Sequence, residues 1–420
     1  MIANQTTIYV YDDFSFEQPI LLGTLFVDVL RGQENYSFEY DENWLNKTKC
    51  KINLDPDLML YSGRQYANGN KMFGVFADSS PDRWGRTLMN RKERLLADSE
   101  NRKPNKLHDS DYLLGVYDES RMGGLRFKTN LKGPFVSNDS MSSIPPWTTL
   151  RTLEEASRNY EKDENINNKW LNQLIKPGSS LGGARPKASV MDTNGQLWIA
   201  KFPSKNDEND TGAWEKVVHD LAKMCDLDVP ESKLEKFSNL GSTFLVKRFD
   251  RVNSKRIHFA SAMTLLGKKD GANAADGTSY IDMAEFIKTY GSNPQKDLLE
   301  LWKRIVFNMA VSNTDDHLRN HAFILTETGW SLSPLFDVNP IPYGTELSLN
   351  VNGNDNRINI SLALDSAHYF GILEDKAKLE SKKILYVIKN NWEKLAIKYG
   401  LTRNQISNMK QAFRLADEYE

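Results

Sequence analysis

The segment Asn313-Thr314-Asp315-Asp316-His317-Leu318-Arg319-Asn320-His321 packs seven strongly polar side chains directly behind residues 298–312, a run apolar enough for a buried helix. An aspartate followed five positions later by an asparagine is the spacing of a kinase catalytic loop. There Asp315 would accept or orient a hydroxyl proton, and the Asn320 carbonyl would coordinate magnesium. Ser333-Pro334-Leu335-Phe336-Asp337 adds a second acid 22 residues after Asp315. Magnesium takes carboxylates, carbonyls, water and phosphate oxygens, so Asp337, Asn320 and ATP make a sensible shell. Two other readings stand beside this one. The cluster can be a solvated helix C-terminus with capping Asn and Asp. It can also be a zinc site, because His317 and His321 are four apart and would share a helix face, although the His-Glu-x-x-His order is absent.

A kinase also needs a loop over the phosphates. Residues 178–187 are glycine-rich and lead into a strand, without the Gly-Lys-Ser/Thr ending of a P-loop. Backbone N–H groups of Gly182, Gly183 and Ala184 can approach phosphate oxygens because no side chain, or only a methyl, intervenes. Residues 188–191 and 197–202 are short apolar runs around Asp192-Thr193-Asn194-Gly195, the signature of a hairpin. Lys201 at the end of the second run is placed for the α- and β-phosphates. Glu215 lies 14 residues on, near the start of an amphipathic helix over 212–225, and is its candidate ion-pair partner. Glu215 is equally readable as a first-turn acid favoured by the helix dipole. Lys187 is a second candidate phosphate cation or a solvated one.

Outward from this centre, residues 6–60 read as strands, 74–96 as helical with Ser80-Pro81 as an N-cap candidate and first-turn proline, and 130–146 as a Ser/Pro/Gly/Asn-rich linker. Residues 242–249 read as a strand, and 384–399 and 402–418 as helices. The expected division is a β-rich unit over 1–135, a Gly-loop region over 150–252 and a helical region over 253–420. With 54 basic and 56 acidic residues, the net charge of -2 argues against general coating of nucleic acid. Two distant cysteines, Cys50 and Cys225, make no disulfide framework and fit a reducing compartment. No basic-then-apolar leader and no 18-residue apolar run appears, so a cytoplasmic protein is expected, with no membrane contact.

Taken together, Gly74-Val75-Phe76-Ala77-Asp78-Ser79-Ser80-Pro81-Asp82-Arg83-Trp84-Gly85-Arg86, Asp111-Tyr112-Leu113-Leu114-Gly115-Val116, residues 180–187, Ala200-Lys201-Phe202-Pro203, Val246-Lys247-Arg248-Phe249-Asp250-Arg251, residues 314–320 and Leu335-Phe336-Asp337 resemble the HipA family, the serine/threonine-kinase toxins of bacterial type II toxin–antitoxin modules. The resemblance covers most of the chain. It implies an α+β, protein-kinase-like two-lobed fold with a β-rich N-terminal subdomain and a mainly helical C-terminal lobe. It implies Asp315 as catalytic base, Asn320 and Asp337 as Mg2+ ligands, Lys201 as the phosphate lysine, His317 near the nucleotide phosphates, and a hinge at Lys247 to Phe249 whose backbone receives adenine. Ser180 stands where the family autophosphorylates its loop, ejecting it. A phosphate adding about -1.5 to -2 charge beside ATP gives the physical reason. Neighbouring Ser179 leaves the modified position open. Arg185, Pro186 and Lys247 depart from the family's usual Gln, Glu and Glu. The implied partners are a HipB-like helix-turn-helix antitoxin, which carries most of the operator-DNA contact, and a protein substrate such as an aminoacyl-tRNA synthetase. A partner-binding kinase fold without catalysis, or a kinase of a small-molecule hydroxyl, remains open.

Overall fold

The computed structural model describes residues 4–48, 51–69, 71–81, 83–137, 144–162, 171, 174, 183, 185–253 and 255–419. Ser179, Ser180, Gly182, Ala184 and Cys50 lie outside them. The chain divides into two compact units, Met1–Asn206 with Lys247–Ala260, and Asp207–Val246 with Ser261–Glu420. The fold mixes α-helices with antiparallel sheets, as the sequence leads one to expect.

In the first unit, β1 (Asn4–Asp12), β2 (Ile20–Leu30), β3 (Gln33–Tyr40), β4 (Gln65–Tyr66) and β5 (Leu125–Lys128) form an antiparallel sheet in the order β4-β3-β2-β1-β5. Side chains alternate across a strand, so one face collects Ile8, Val10, Leu25, Val27, Phe38 and Phe127, all nearly inaccessible to solvent. Gly23 is required at the centre of β2, because a Cβ there would lie 2.3 Å from the Glu39 carbonyl oxygen and 2.5 Å from the Phe38 ring. Helices α1 (Arg83–Ser99), α2 (Asp109–Gly115) and α3 (Leu150–Lys162) follow. The expected hairpin is β6 (Lys187–Met191) with β7 (Leu197–Lys201). Asp192 forms its turn by accepting from the backbone N–H of Asn194 and Gln196 and from the Trp198 indole, each at 2.9–3.0 Å.

In the second unit, α4 (Thr211–Met224) is the expected amphipathic helix. Its N-cap Asp210 accepts from Ala213 N–H at 3.1 Å and from both the N–H and hydroxyl of Ser242. This side chain ties the helix to the hairpin of β8 (Ser232–Ser238) and β9 (Gly241–Lys247). Farther along α4, Asp220 accepts from Lys216 at 2.5 Å and from the Tyr399 hydroxyl. The expected apolar helix is α5 (Pro294–Ala310), begun by an Asn293 cap and a proline in the first turn. Leu301, Trp302, Ile305, Val306, Phe307 and Met309 are fully buried all round it, so α5 is the axis of this unit. The pair β10 (Ala322–Leu325) and β11 (Trp330–Leu332) follows, then α6 (Glu374–Lys398). Helix α6 starts ten residues before the apolar period shows itself. Residues 374–383 bury only Ala377 and Ser381, so no hydrophobic stripe marks those turns. Among the described residues, no helix is long and apolar enough to cross a membrane. Cys225 is a buried free thiol.

One buried carboxyl gives this fold a pH signature. Asp55 accepts backbone N–H bonds from Asp57 and Val75, both at 2.9 Å, while burial pushes its carboxyl up to about 6. A raised folded value means that its stabilising contribution is fully present below the unfolded value of about 4 and is lost as pH rises through 6. Thermal melts of wild type and Asp55→Asn should therefore diverge. The wild type should gain stability relative to the variant between about pH 7 and pH 4, and parallel curves would refute this.

Candidate active site

The polar segment after α5 is built around one aspartate. The helix stops where Ser312 takes φ +50°, and Asn313 N–H returns to the Asn308 carbonyl at 2.8 Å. Asp316 is then buried, with Oδ2 accepting from the Tyr280 hydroxyl at 2.6 Å, Asn308 Nδ2 at 2.7 Å and His321 Nε2 at 2.9 Å. Burial works to raise its carboxyl, but His321 and the hydrogen bonds from His321 and Tyr280 outweigh it and hold the group below the ordinary carboxylate range. The next residue back, Asp315, is exposed. Two adjacent acids thus have opposite environments: Asp316 anchors the loop and Asp315 is presented to solvent.

Residues 318–320 make a single 3-10 turn rather than an α-helix, and His321 leads directly into β10. His317 and His321 therefore do not share an α-helical face, and His321 is committed to Asp316. Among the described residues, no three His, Cys, Asp or Glu side chains are placed to hold a metal together. The zinc reading fails on this geometry. Asn320, itself buried, donates Nδ2 to the Asp315 carbonyl at 3.0 Å, which fixes the amide and leaves Oδ1 as its acceptor oxygen. His317 caps the turn, and its Nδ1 is buried without a hydrogen-bond partner among the described residues.

Hairpin geometry brings Asp337 back to this loop. Phe323 pairs with Leu332, and Ser333 N–H bonds the Ala322 carbonyl at 2.9 Å, so residues 320–321 and 334–337 leave the same end of the β10–β11 ribbon. Leu335 N–H is fixed to the Asp228 carbonyl at 2.7 Å, and Ile341 N–H to the Ser312 carbonyl at 3.1 Å. Between these ties Asp337 holds φ +58°, a left-handed conformation that Asp and Asn tolerate better than most side chains.

The cationic residues lie in the first unit. Lys187 and Lys201 are direct cross-strand partners in β6 and β7, so both project from the same face, and both are buried. Like charges placed opposite one another on a ribbon repel, so each of these buried ammonium groups depends on the acceptors around it. The Lys187 ammonium sits against Gly183, where φ is +78° and an added Cβ would meet Nζ at 2.6 Å. Trp84 holds this end of the loop, with its N–H on the Gly183 carbonyl at 3.1 Å and its indole on the Lys187 carbonyl at 2.9 Å. Lys247 to Phe249 continue from β9, and Arg248 N–H bonds the Leu197 carbonyl of β7 at 2.9 Å. Glu215 is buried in the first turns of α4, in the second unit. Asp316, Tyr280 and Asn308 had no place among the residues expected to matter. The one signal available was a polar Asn308 in the last turn of an otherwise apolar helix.

Comparison with known proteins adds the family. Residues 20–103 match the HipA N-terminal domain, and residues 179–411 match the HipA-like C-terminal domain. The chain is 28% identical over 182 residues to the "Putative kinase Y4mE" of Sinorhizobium fredii, covering 38% of this chain and 41% of that one. It is 28% identical over 193 residues to a "Putative kinase" of Haemophilus influenzae, covering 40% and 56%. The chain thus spans about half the length of the curated relatives it matches. In fold it is similar to HipA from the Shewanella oneidensis toxin–antitoxin complex of HipA, HipB and operator DNA, with a TM-score of 0.70 at 15% identity over 98% of this chain and 97% of the other.

The contrast between the two acids is measurable without any substrate. Replacing a buried, hydrogen-bonded charge leaves its donors mismatched, so Asp316→Asn should cost about 3 kcal/mol in urea unfolding. Asp315→Asn, on an exposed side chain, should change stability by less than about 1 kcal/mol. Equal losses would contradict the division of roles.

Proposed function

Because the chain belongs to the HipA family, we propose that it is an ATP- and magnesium-dependent serine/threonine protein kinase, the toxin of a HipBA-like module. The observation that carries this reading is the pair of buried, directly opposed lysines beside the Gly183 turn, complemented by a loop that presents Asp315 to solvent. Lys201, with Lys187, draws the ATP phosphates, and the main chain at Gly182, Gly183 and Ala184 covers them. Glu215 is the ion-pair partner of Lys201. The backbone at Lys247 and Phe249 receives the adenine.

The donor set fits magnesium. Asn320, its Nδ2 committed to the Asp315 carbonyl, offers its amide oxygen and Asp337 a carboxylate, both hard oxygen donors; substrate phosphates and water complete such shells. When bound, the metal neutralises charge on the β- and γ-phosphates. His317, with a buried and unpartnered Nδ1, is a suitable hydrogen-bonding group for a phosphate oxygen. Asp315 orients the substrate hydroxyl and takes its proton as the phosphoryl group transfers. Its exposure puts that carboxylate within reach of a substrate. Autophosphorylation of the loop at Ser180, or at neighbouring Ser179, places two negative charges beside the nucleotide phosphates and silences the enzyme by expelling the loop.

The proposed partner is a HipB-like helix-turn-helix antitoxin, which makes most of the operator-DNA contact, in keeping with a net charge of -2. The proposed substrate is a translation component such as an aminoacyl-tRNA synthetase, and the proposed location is the cytoplasm. Incubation with γ-labelled ATP and magnesium tests the catalytic claim. Wild type should label itself or a lysate protein, while Asp315→Asn and Asp337→Asn should each lose at least about a hundredfold in rate. Ser180→Ala should abolish self-labelling and sustain activity on other proteins. Absence of any labelled protein with the wild type would overturn the kinase assignment, and a labelled small molecule in place of protein would redirect it.

A further inference from the structure

We propose that Arg248 and Asp250 are positioning residues for the nucleotide, locking the main chain at 247–249 to a loop of the N-terminal β-rich module. The proposal rests on the kinase reading above and adds to it a mechanical link between that module and adenine binding.

Lys247 ends β9, and Arg248 leads from it into a turn at Phe249 and Asp250, so the strand stops where the hinge begins. The Arg248 guanidinium is wholly buried and grips Asp250 with two hydrogen bonds, Nε to Oδ1 at 2.8 Å and an Nη2 to Oδ2 at 2.6 Å. It also donates to the N-terminal module, to the Ser120 carbonyl at 2.7 Å and the Arg121 carbonyl at 3.1 Å, and more weakly to the Ser189 hydroxyl of β6 at 3.5 Å. Asp250 in turn accepts from Gly123 N–H at 2.8 Å and from Arg251 at 2.7 Å. Arg251 adds the Arg121 carbonyl at 2.6 Å, and Arg256 the Asp118 carbonyl at 2.7 Å. Arg126 chelates Asp118, while Arg126 and Arg256 both reach Asp13 at the end of β1.

Asp13, Asp118 and Asp250 thus face Arg126, Arg248, Arg251 and Arg256 in one cluster, with one more arginine than aspartates. Backbone carbonyls of the 118–123 loop take up the surplus donors, so the loop's main chain is held as firmly as its side chains. Although burial works to raise it, Asp250 stays far below the ordinary carboxylate range because Arg248 and Arg251 flank it. Well-packed apolar residues would stabilise such a site at least as well as buried ions. What an ionic cluster with fixed bidentate geometry adds is a single allowed arrangement of the backbone that carries it. That backbone is the hinge. A base that reads main-chain N–H and C=O groups depends on their positions within a few tenths of an ångström, so loosening the cluster weakens ATP binding without touching phosphoryl transfer.

The test uses the full-length protein and variants at the cluster's rim, Asp13→Asn and Arg256→Lys, alongside Asp250→Asn at its centre. Asp13 lies in β-sheet territory far along the sequence from the hinge and plays no part in the chemistry. Each folded variant should raise the KM for ATP about fivefold while leaving kcat at saturating ATP within about twofold. Amide exchange at 247–251 should quicken in the same variants. Should Asp250→Asn fail to fold, the rim variants decide the matter. Unchanged KM and unchanged exchange in folded rim variants would overturn the inference while leaving the kinase intact. A fall in kcat at constant KM would overturn it as well. If the wild type neither binds nor uses ATP, the kinase reading falls and takes this proposal with it. Faster exchange would then show only that the cluster orders the segment.

Discussion

One oxygen atom organises the second unit. Asp316 Oδ2 collects donors from three separate elements: Tyr280 at the start of the helix before α5, Asn308 in the last turn of α5, and His321 at the entry to β10. A charged acceptor bonded to three donors in a dry interior has no cheap alternative arrangement, since displacing it would strand both the ion and its partners. The chain between Asn308 and His321 is therefore fixed at both ends and in its middle. Asp315 and Asn320 lie on the stretch this anchor fixes, with the Asn320 amide bonded to the Asp315 carbonyl as a further tie.

The division of charge between the units follows a similar economy. The first unit concentrates cations, with Lys187 and Lys201 opposed on one ribbon and Gly183 bent over the first of them. The second concentrates oxygen donors on the loop and the β10–β11 ribbon. Within the first unit the opposed ammonium groups repel and depend on the acceptors around them; within the second an exposed carboxylate sits one residue from a buried one.

Much of this could be read from residue order, and what could not has a physical cause. Local rules mark the Asp192 turn, the Thr211–Met224 helix and the apolar Pro294–Ala310 helix, because turn chemistry and burial period act over a few residues. They also mark Asp315, Asn320, Asp337 and Lys201 as candidates, since phosphate and magnesium chemistry restricts residue type and spacing. The partners of Asp316 lie 36 residues upstream, eight upstream and five downstream, and no spacing rule connects them. Arg248 and Asp250 were legible as a motif, but their partners at 120–123 lie some 127 residues away. The start of α6 escaped for the opposite reason, because its first turns bury almost nothing. His317 and His321 looked like a metal pair only while the segment was taken as helical.

The left-handed backbone at Asp337 constrains how this gene can drift. Glycine and asparagine suit φ +58° at least as well as aspartate, whereas glutamate keeps the charge at the expense of the turn. The conformationally easy single replacements therefore preserve the fold and discard the carboxylate. Lineages under relaxed selection would thus lose this acid before they lose the turn that carries it.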